Sequence, residues 1–174
     1  MRIKIHSFKW LLFLLTLFLG MMYVMRRTGG IVGELSGGQG ILDLTFAVSP
    51  QAAGEALARY SRRGAMFYRY AFLSVDLVYA LVYCTFYRSA IGYVCEMLSA
   101  GEKTVKILGA LPVVGMAGDI IENNILFILL SPGGGGEWLY LPLMVFNIIK
   151  FVFVYISLAV VLGGMLCLIK KRLS

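Results

Sequence analysis

A chain of 174 residues could enclose one ordinary soluble core, but 60% of its residues are hydrophobic, against roughly 45–50% in soluble domains. Those residues fall in runs long enough to cross a bilayer, which takes about 20 helical residues, and this excludes a soluble fold. The net charge of +7 does not point to nucleic acid, because Lys and Arg cluster at the ends of the apolar runs, where they report topology and contact with anionic lipid.

The first apolar run, 10–25, follows Arg2, Lys4 and Lys9 and precedes Arg26-Arg27. No small-x-small cleavage site follows it, so an uncleaved anchor helix is expected, somewhat short for a full span. Residues 28–48 read as a loop, Gly-rich at first and then extended through Ile41-Leu42-Asp43-Leu44. Its Gly-Gly-Gln-Gly piece lacks the Lys-Ser/Thr of a phosphate loop. Ser49-Pro50 is an N-cap followed by proline at the first helical position. The helix it opens, 50–63, sets Ala53, Leu57 and Tyr60 on one face and Glu55, Arg59, Arg62 and Arg63 over much of the rest. That pattern suits a helix lying in the membrane interface, and a soluble loop helix is the alternative.

The second span is expected at 67–86, followed by a short polar link with Arg88, Glu96, Glu102 and Lys103. The third runs over 107–130, and Ser131-Pro132 with the glycines 133–136 makes a tight turn. Trp138 suits the headgroup level ahead of the fourth span, 139–168, which exceeds one bilayer thickness and should tilt or protrude. The N-tail, middle link and C-tail each carry about three Lys or Arg and the second outer loop none, which favours both termini inside. The first outer loop, with about six, runs against that orientation. Cys84, Cys95 and Cys167 form no C-x-x-C pair, so neither a disulfide framework nor a zinc site is signalled. The sole histidine, His6, lies in the basic N-tail, which removes a histidine-based metal site from the membrane. The expectation is therefore an all-α protein with a single domain over 1–174. It is an integral membrane four-helix bundle with an amphipathic helix in the first extramembrane loop, placed N-in/C-in in a bacterial inner membrane.

Three of the spans carry polar residues at depth. Asp76 is in the second; Asp119, Glu122, Asn123 and Asn124 are in the third; Asn147 and Lys150 are in the fourth. Each Asp or Lys at a helix centre costs roughly 2.5–3.5 kcal/mol on insertion. At 1.5 Å per residue, Asp76, Asp119 and Lys150 lie ~14, ~16 and ~17 Å from the outer ends of their spans, with Glu122 and Asn147 near ~12 Å. Asp119, Glu122 and Asn123 share a helix face by their i, i+3, i+4 spacing, and Asp76, Tyr79 and Tyr83 form a stripe with Phe72. These faces are expected to turn inward, with Lys150 paired to one of three acids. The surplus of negative charge would leave at least one carboxyl protonated near neutral pH, unless Arg69 or a bound cation supplies the balance.

The acid in the second span, with Gly-Asp-Ile-Ile-Glu-Asn-Asn in the third, resembles a pattern of small bacterial four-helix membrane proteins of unassigned function. The layout also resembles the EXPERA-type fold of sterol isomerases and sterol-binding proteins: a short first span, a long polar loop with a helix, then an acid in the second span, which Asp76 would match. The chain lacks the membrane histidine of the catalytic isomerases, so the resemblance implies a lipid-facing pocket rather than isomerisation.

The reading that follows is a buried pocket for a lipid-like or amphiphilic ligand. Asp76, Asp119, Glu122 and Lys150 would fix the polar head, Tyr79 and Tyr83 would line the wall, and Asn123 and Asn147 would complete the lining. One alternative is a proton- or cation-translocating subunit, since intramembrane acids serve as proton relays. Another is an assembly subunit whose polar residues only join helices through hydrogen bonds. A third is a membrane enzyme with paired carboxylates, for which no nucleophile motif is present and no catalytic residue is assigned. No metal and no cofactor are called for. The expected partners are membrane lipid, the amphiphilic ligand, and a second copy or another membrane protein; nucleic acid is not among them.

Overall fold

A computed structural model describes residues 8–46 and 49–173, the side chain of Arg172 excepted. Arg2, Lys4 and His6 of the N-tail lie outside these. The described residues form six α-helices and no strand: α1 (Phe8–Leu35), α2 (Pro50–Arg59), α3 (Arg62–Phe67), α4 (Leu73–Met97), α5 (Glu102–Leu129) and α6 (Tyr140–Leu173). A π-turn over Tyr68–Phe72 joins α3 to α4. Four helical segments are long and apolar enough to cross a membrane: Phe8–Leu35, Arg62–Met97, Glu102–Leu129 and Glu137–Lys171.

The Gly-rich stretch after Arg27 is helix rather than loop. α1 runs on through Gly29, Gly30 and Gly33 to Leu35, so the first span is not short. Each helical glycine costs about 1 kcal/mol relative to alanine, and packing decides the outcome here. A Cβ on Gly29 would lie 3.3 Å from Ile41 Cγ1 and 3.5 Å from the Phe72 ring, and Val32 is fully buried. The helix stops where Gly37 and Gly38 take left-handed φ values of 65° and 92°, and the Gly38 N–H donates to the Gly33 carbonyl at 2.8 Å.

Ser49 caps α2 by accepting from the Ala52 N–H at 3.2 Å, with Pro50 opening the helix. The amphipathic helix ends at Arg59, sooner than its charge pattern suggests. Ser61 then caps α3 by accepting from the Gly64 N–H at 3.0 Å, so Arg62 and Arg63 begin the second span. The junction is tied back to the end of α1: Ser61 Oγ donates to the Leu35 carbonyl at 2.5 Å, and the Tyr60 hydroxyl donates to the Gly40 carbonyl. Burial, chiefly, pushes that hydroxyl up to about 12, so it remains a donor throughout the physiological range.

α4 continues past Phe86 through Arg88 and Glu96 to Met97, and α5 begins at Glu102, which shortens the expected polar link to residues 98–101. α5 and α6 form the most extensive helix pair, because glycine lets their backbones approach. A Cβ on Gly118 would meet Ile149 Cγ2 at 3.0 Å and the Lys150 backbone nitrogen at 3.2 Å. Gly115, one turn earlier on the same face, is nearly as close to Phe153 and Val154 at 3.4 Å. This contact delivers Asp119 and Glu122 to Lys150.

Candidate functional site: a buried acid cluster around Lys150

Lys150 projects from α6 into the bundle and is buried. Its ammonium stands 2.7 Å from Glu122 Oε2 and 3.6 Å from Asp119 Oδ1, both on α5. Asn147, one turn earlier on α6, donates to Glu122 Oε1 at 2.9 Å. On the neighbouring side Asn123 donates to Asp76 Oδ2 of α4 at 2.5 Å. The structure thus brings together Asp76, Asp119, Glu122, Asn123, Asn147 and Lys150, all buried, as their helical spacing and depth require.

The strongest partner of Lys150 is one that helical periodicity does not reveal. Asp43 sits in a single 3-10 turn, Leu42–Leu44, in the segment read as extended. It is 0% exposed. Lys150 Nζ donates to its backbone carbonyl at 2.8 Å and also to its carboxylate. The Asp43 N–H donates to the Tyr68 hydroxyl at 3.1 Å, so the π-turn and α6 hold the aspartate between them across 107 positions of sequence. The available signal was a lone acid flanked by Leu42 and Leu44 in an otherwise Gly-rich stretch. Ile41 and Leu42, which bury themselves on the bundle while Leu44 stays exposed, carry the acid in with them.

The acid count around the lysine therefore rises from three to four. Arg69 does not redress the balance: its guanidinium lies over the Phe127 ring at 4.1 Å and the Tyr70 ring at 4.9 Å, with no carboxylate partner among the described residues. Tyr83 is buried with its hydroxyl directed at Asp119. Tyr79 is half-buried and turns toward α1, its ring 5.8 Å from that of Phe18 and 5.5 Å from that of Tyr83. It walls the cluster without joining it.

One oxygen each from Asp43, Asp119 and Glu122 lies within 4.8 Å of the others, the spacing of ligands around a cation. The cation among them is the Lys150 ammonium. Two of its three N–H groups are committed to Asp43, and Glu122 Oε2 and Asp119 Oδ1 have ion-pair distance without an aligned hydrogen bond. Asp43 Oδ2 and Asn123 Oδ1 are likewise buried and unbonded. The cluster is rich in acceptors and poor in donors, and a further proton or cation is the species that would satisfy it.

No family model, no curated protein and no solved structure matches this chain.

Proposed function

We propose that the chain is an integral membrane protein of a bacterial inner membrane, with both termini inside, that works by taking up and releasing protons at the Lys150 cluster. The observation that carries this reading is the convergence of Asp43, Asp119 and Glu122 on the buried Lys150 ammonium, with Asp76 buried beside them and bonded to Asn123. Carboxylates packed this closely in a medium of low dielectric cannot all be ionised at once, so their charge is balanced in part by exchangeable protons. Acids inside membrane spans commonly form proton relays. Capture of an amphiphile's polar head by these same residues is the weaker reading, because Lys150 already spends its donors on Asp43 and stands against Glu122.

Proton flux into liposomes carrying the purified protein, driven by a pH gradient with the membrane potential clamped, tests the proposal. Glu122→Gln and Asp119→Asn keep size and hydrogen bonding while removing a titratable group, and each is expected to reduce flux several-fold. A wild-type flux no greater than that of empty liposomes would overturn the translocation reading. Flux unchanged in both variants would remove the cluster from the pathway.

A further inference from the structure

A cavity of about 450 Å³ opens at the other face of the π-turn, between the α3 end of the second span and the last turn of α5. Its walls include Leu57, Met66, Leu129 and Pro132, and its charged residues are Arg62 and Arg69. The volume falls in the range of small-ligand sites, roughly 300–1,000 Å³, and the mix of apolar wall with a few polar groups suits an amphiphile. Arg62 and Arg69 stand seven residues apart, two helical turns on one side of the segment. Neither makes an ion pair among the described residues. Arg69 is held flat by the Tyr70 and Phe127 rings, and its buried Nε has no acceptor. A guanidinium oriented by aromatic faces with its donors unspent is arranged for an anion with several oxygens, to which it can donate in bidentate fashion.

The location selects the anion. Arg62 starts one span and Ser131-Pro132 ends another, so the cavity mouth lies where both enter the bilayer boundary. Trp138, 73% exposed, marks the same end. On α5, just before the lining residues Leu129 and Leu130, Phe127 and Ile128 are exposed and offer apolar surface to an acyl chain. We propose that this cavity binds the phosphate headgroup of an anionic bilayer lipid, with Arg69 as the principal contact and Arg62 as the outer one. This site is separate from the proton cluster, and either proposal can fail without the other.

Native mass spectrometry of the full chain, released from detergent after incubation with equal amounts of phosphatidylglycerol and phosphatidylcholine of the same acyl chains, provides the test. Retained lipid is expected to be mainly phosphatidylglycerol. Arg69→Gln should lower its retention about tenfold, the equivalent of one charge-assisted hydrogen bond. Ala65→Leu, which fills the cavity while leaving both arginines, should do the same, so the test stands even where Arg69→Gln does not fold. Arg59→Gln, on the exposed side of α2, should leave retention unchanged. Equal retention of the two lipids by the wild type, or undiminished phosphatidylglycerol in both cavity variants, would overturn the proposal. Displacement of the lipid by inorganic phosphate at equal concentration would show a free-anion site and overturn it as well.

Discussion

Tyr68 and Arg69 are neighbours in one π-turn, and they face regions of opposite charge. Tyr68 turns inward, fully buried, and holds the amide of Asp43 against the acid cluster. Arg69 turns outward to a cavity that contains arginines and aromatic faces but no acid. Four surplus-bearing carboxylates and an unpaired guanidinium thus lie on adjacent residues' sides of a single segment without neutralising each other. Inside a bundle, charge balance is set by which face a side chain leaves from, and composition says little about it. π-turns recur at functional sites. Here the turn lies between an anionic interior and a cationic rim.

The largest test of that division is Lys150→Met. With the Lys150 ammonium gone, Asp43, Asp119 and Glu122 face one another with Asp76 close by, and breaking a buried pair in this way costs about 3–5 kcal/mol. The expected result is a large fall in melting temperature in detergent. The deficit should shrink as pH is lowered, because the variant's native state then binds protons that the unfolded chain does not need, and stability falls as pH rises. A melting temperature close to that of the wild type at neutral pH would mean that charge does not hold the interior together.

A smaller effect separates the two faces of the π-turn. Tyr68→Phe keeps the ring packed against Tyr60 and Phe72 but leaves the buried Asp43 N–H without an acceptor, at a cost of about 1–3 kcal/mol. Hydrogen exchange at residues 42–44 should accelerate, while retention of anionic lipid at the Arg69 cavity stays as in the wild type. Loss of both together would show that the turn acts as one unit rather than as a divider.

The parts of this arrangement that could be read from sequence are the local ones. Asp119, Glu122 and Asn123 must share a face because helical spacing requires it, and Lys150 must meet them if α5 and α6 pack at the level of Gly118. Asp43 escapes such reasoning because its burial depends on a turn folding back onto a helix more than a hundred residues later. The extent of α1 escapes it for a different reason. Gly29, Gly30 and Gly33 serve a loop or a close helix contact equally well, and only the fit of Ile41 and Phe72 against Gly29 decides between them. The position of Arg69 is hidden because helical spacing sets it about one hundred degrees from Tyr68 without saying which of the two faces the bundle.

The smallest prediction concerns the ion pair outside the bundle. Glu55 and Arg59 stand 3.6 Å apart on α2 with side chains 70% and 69% exposed, an i,i+4 arrangement that contributes about 0.3–0.5 kcal/mol when solvated. Arg59→Ala should therefore change the melting temperature by about a tenth of the Lys150→Met effect, although both substitutions remove one positive charge from one carboxylate neighbourhood. The ratio follows from dielectric surroundings, since water screens the α2 pair and is excluded from Lys150. A comparable loss in the two variants, measured in the same detergent, would mean that α2 is shielded from water, as it would be if its charged face were pressed against a second copy of the chain. In that case the Arg59→Ala loss should diminish on dilution below the dimer's dissociation range, whereas the Lys150→Met loss should not depend on protein concentration.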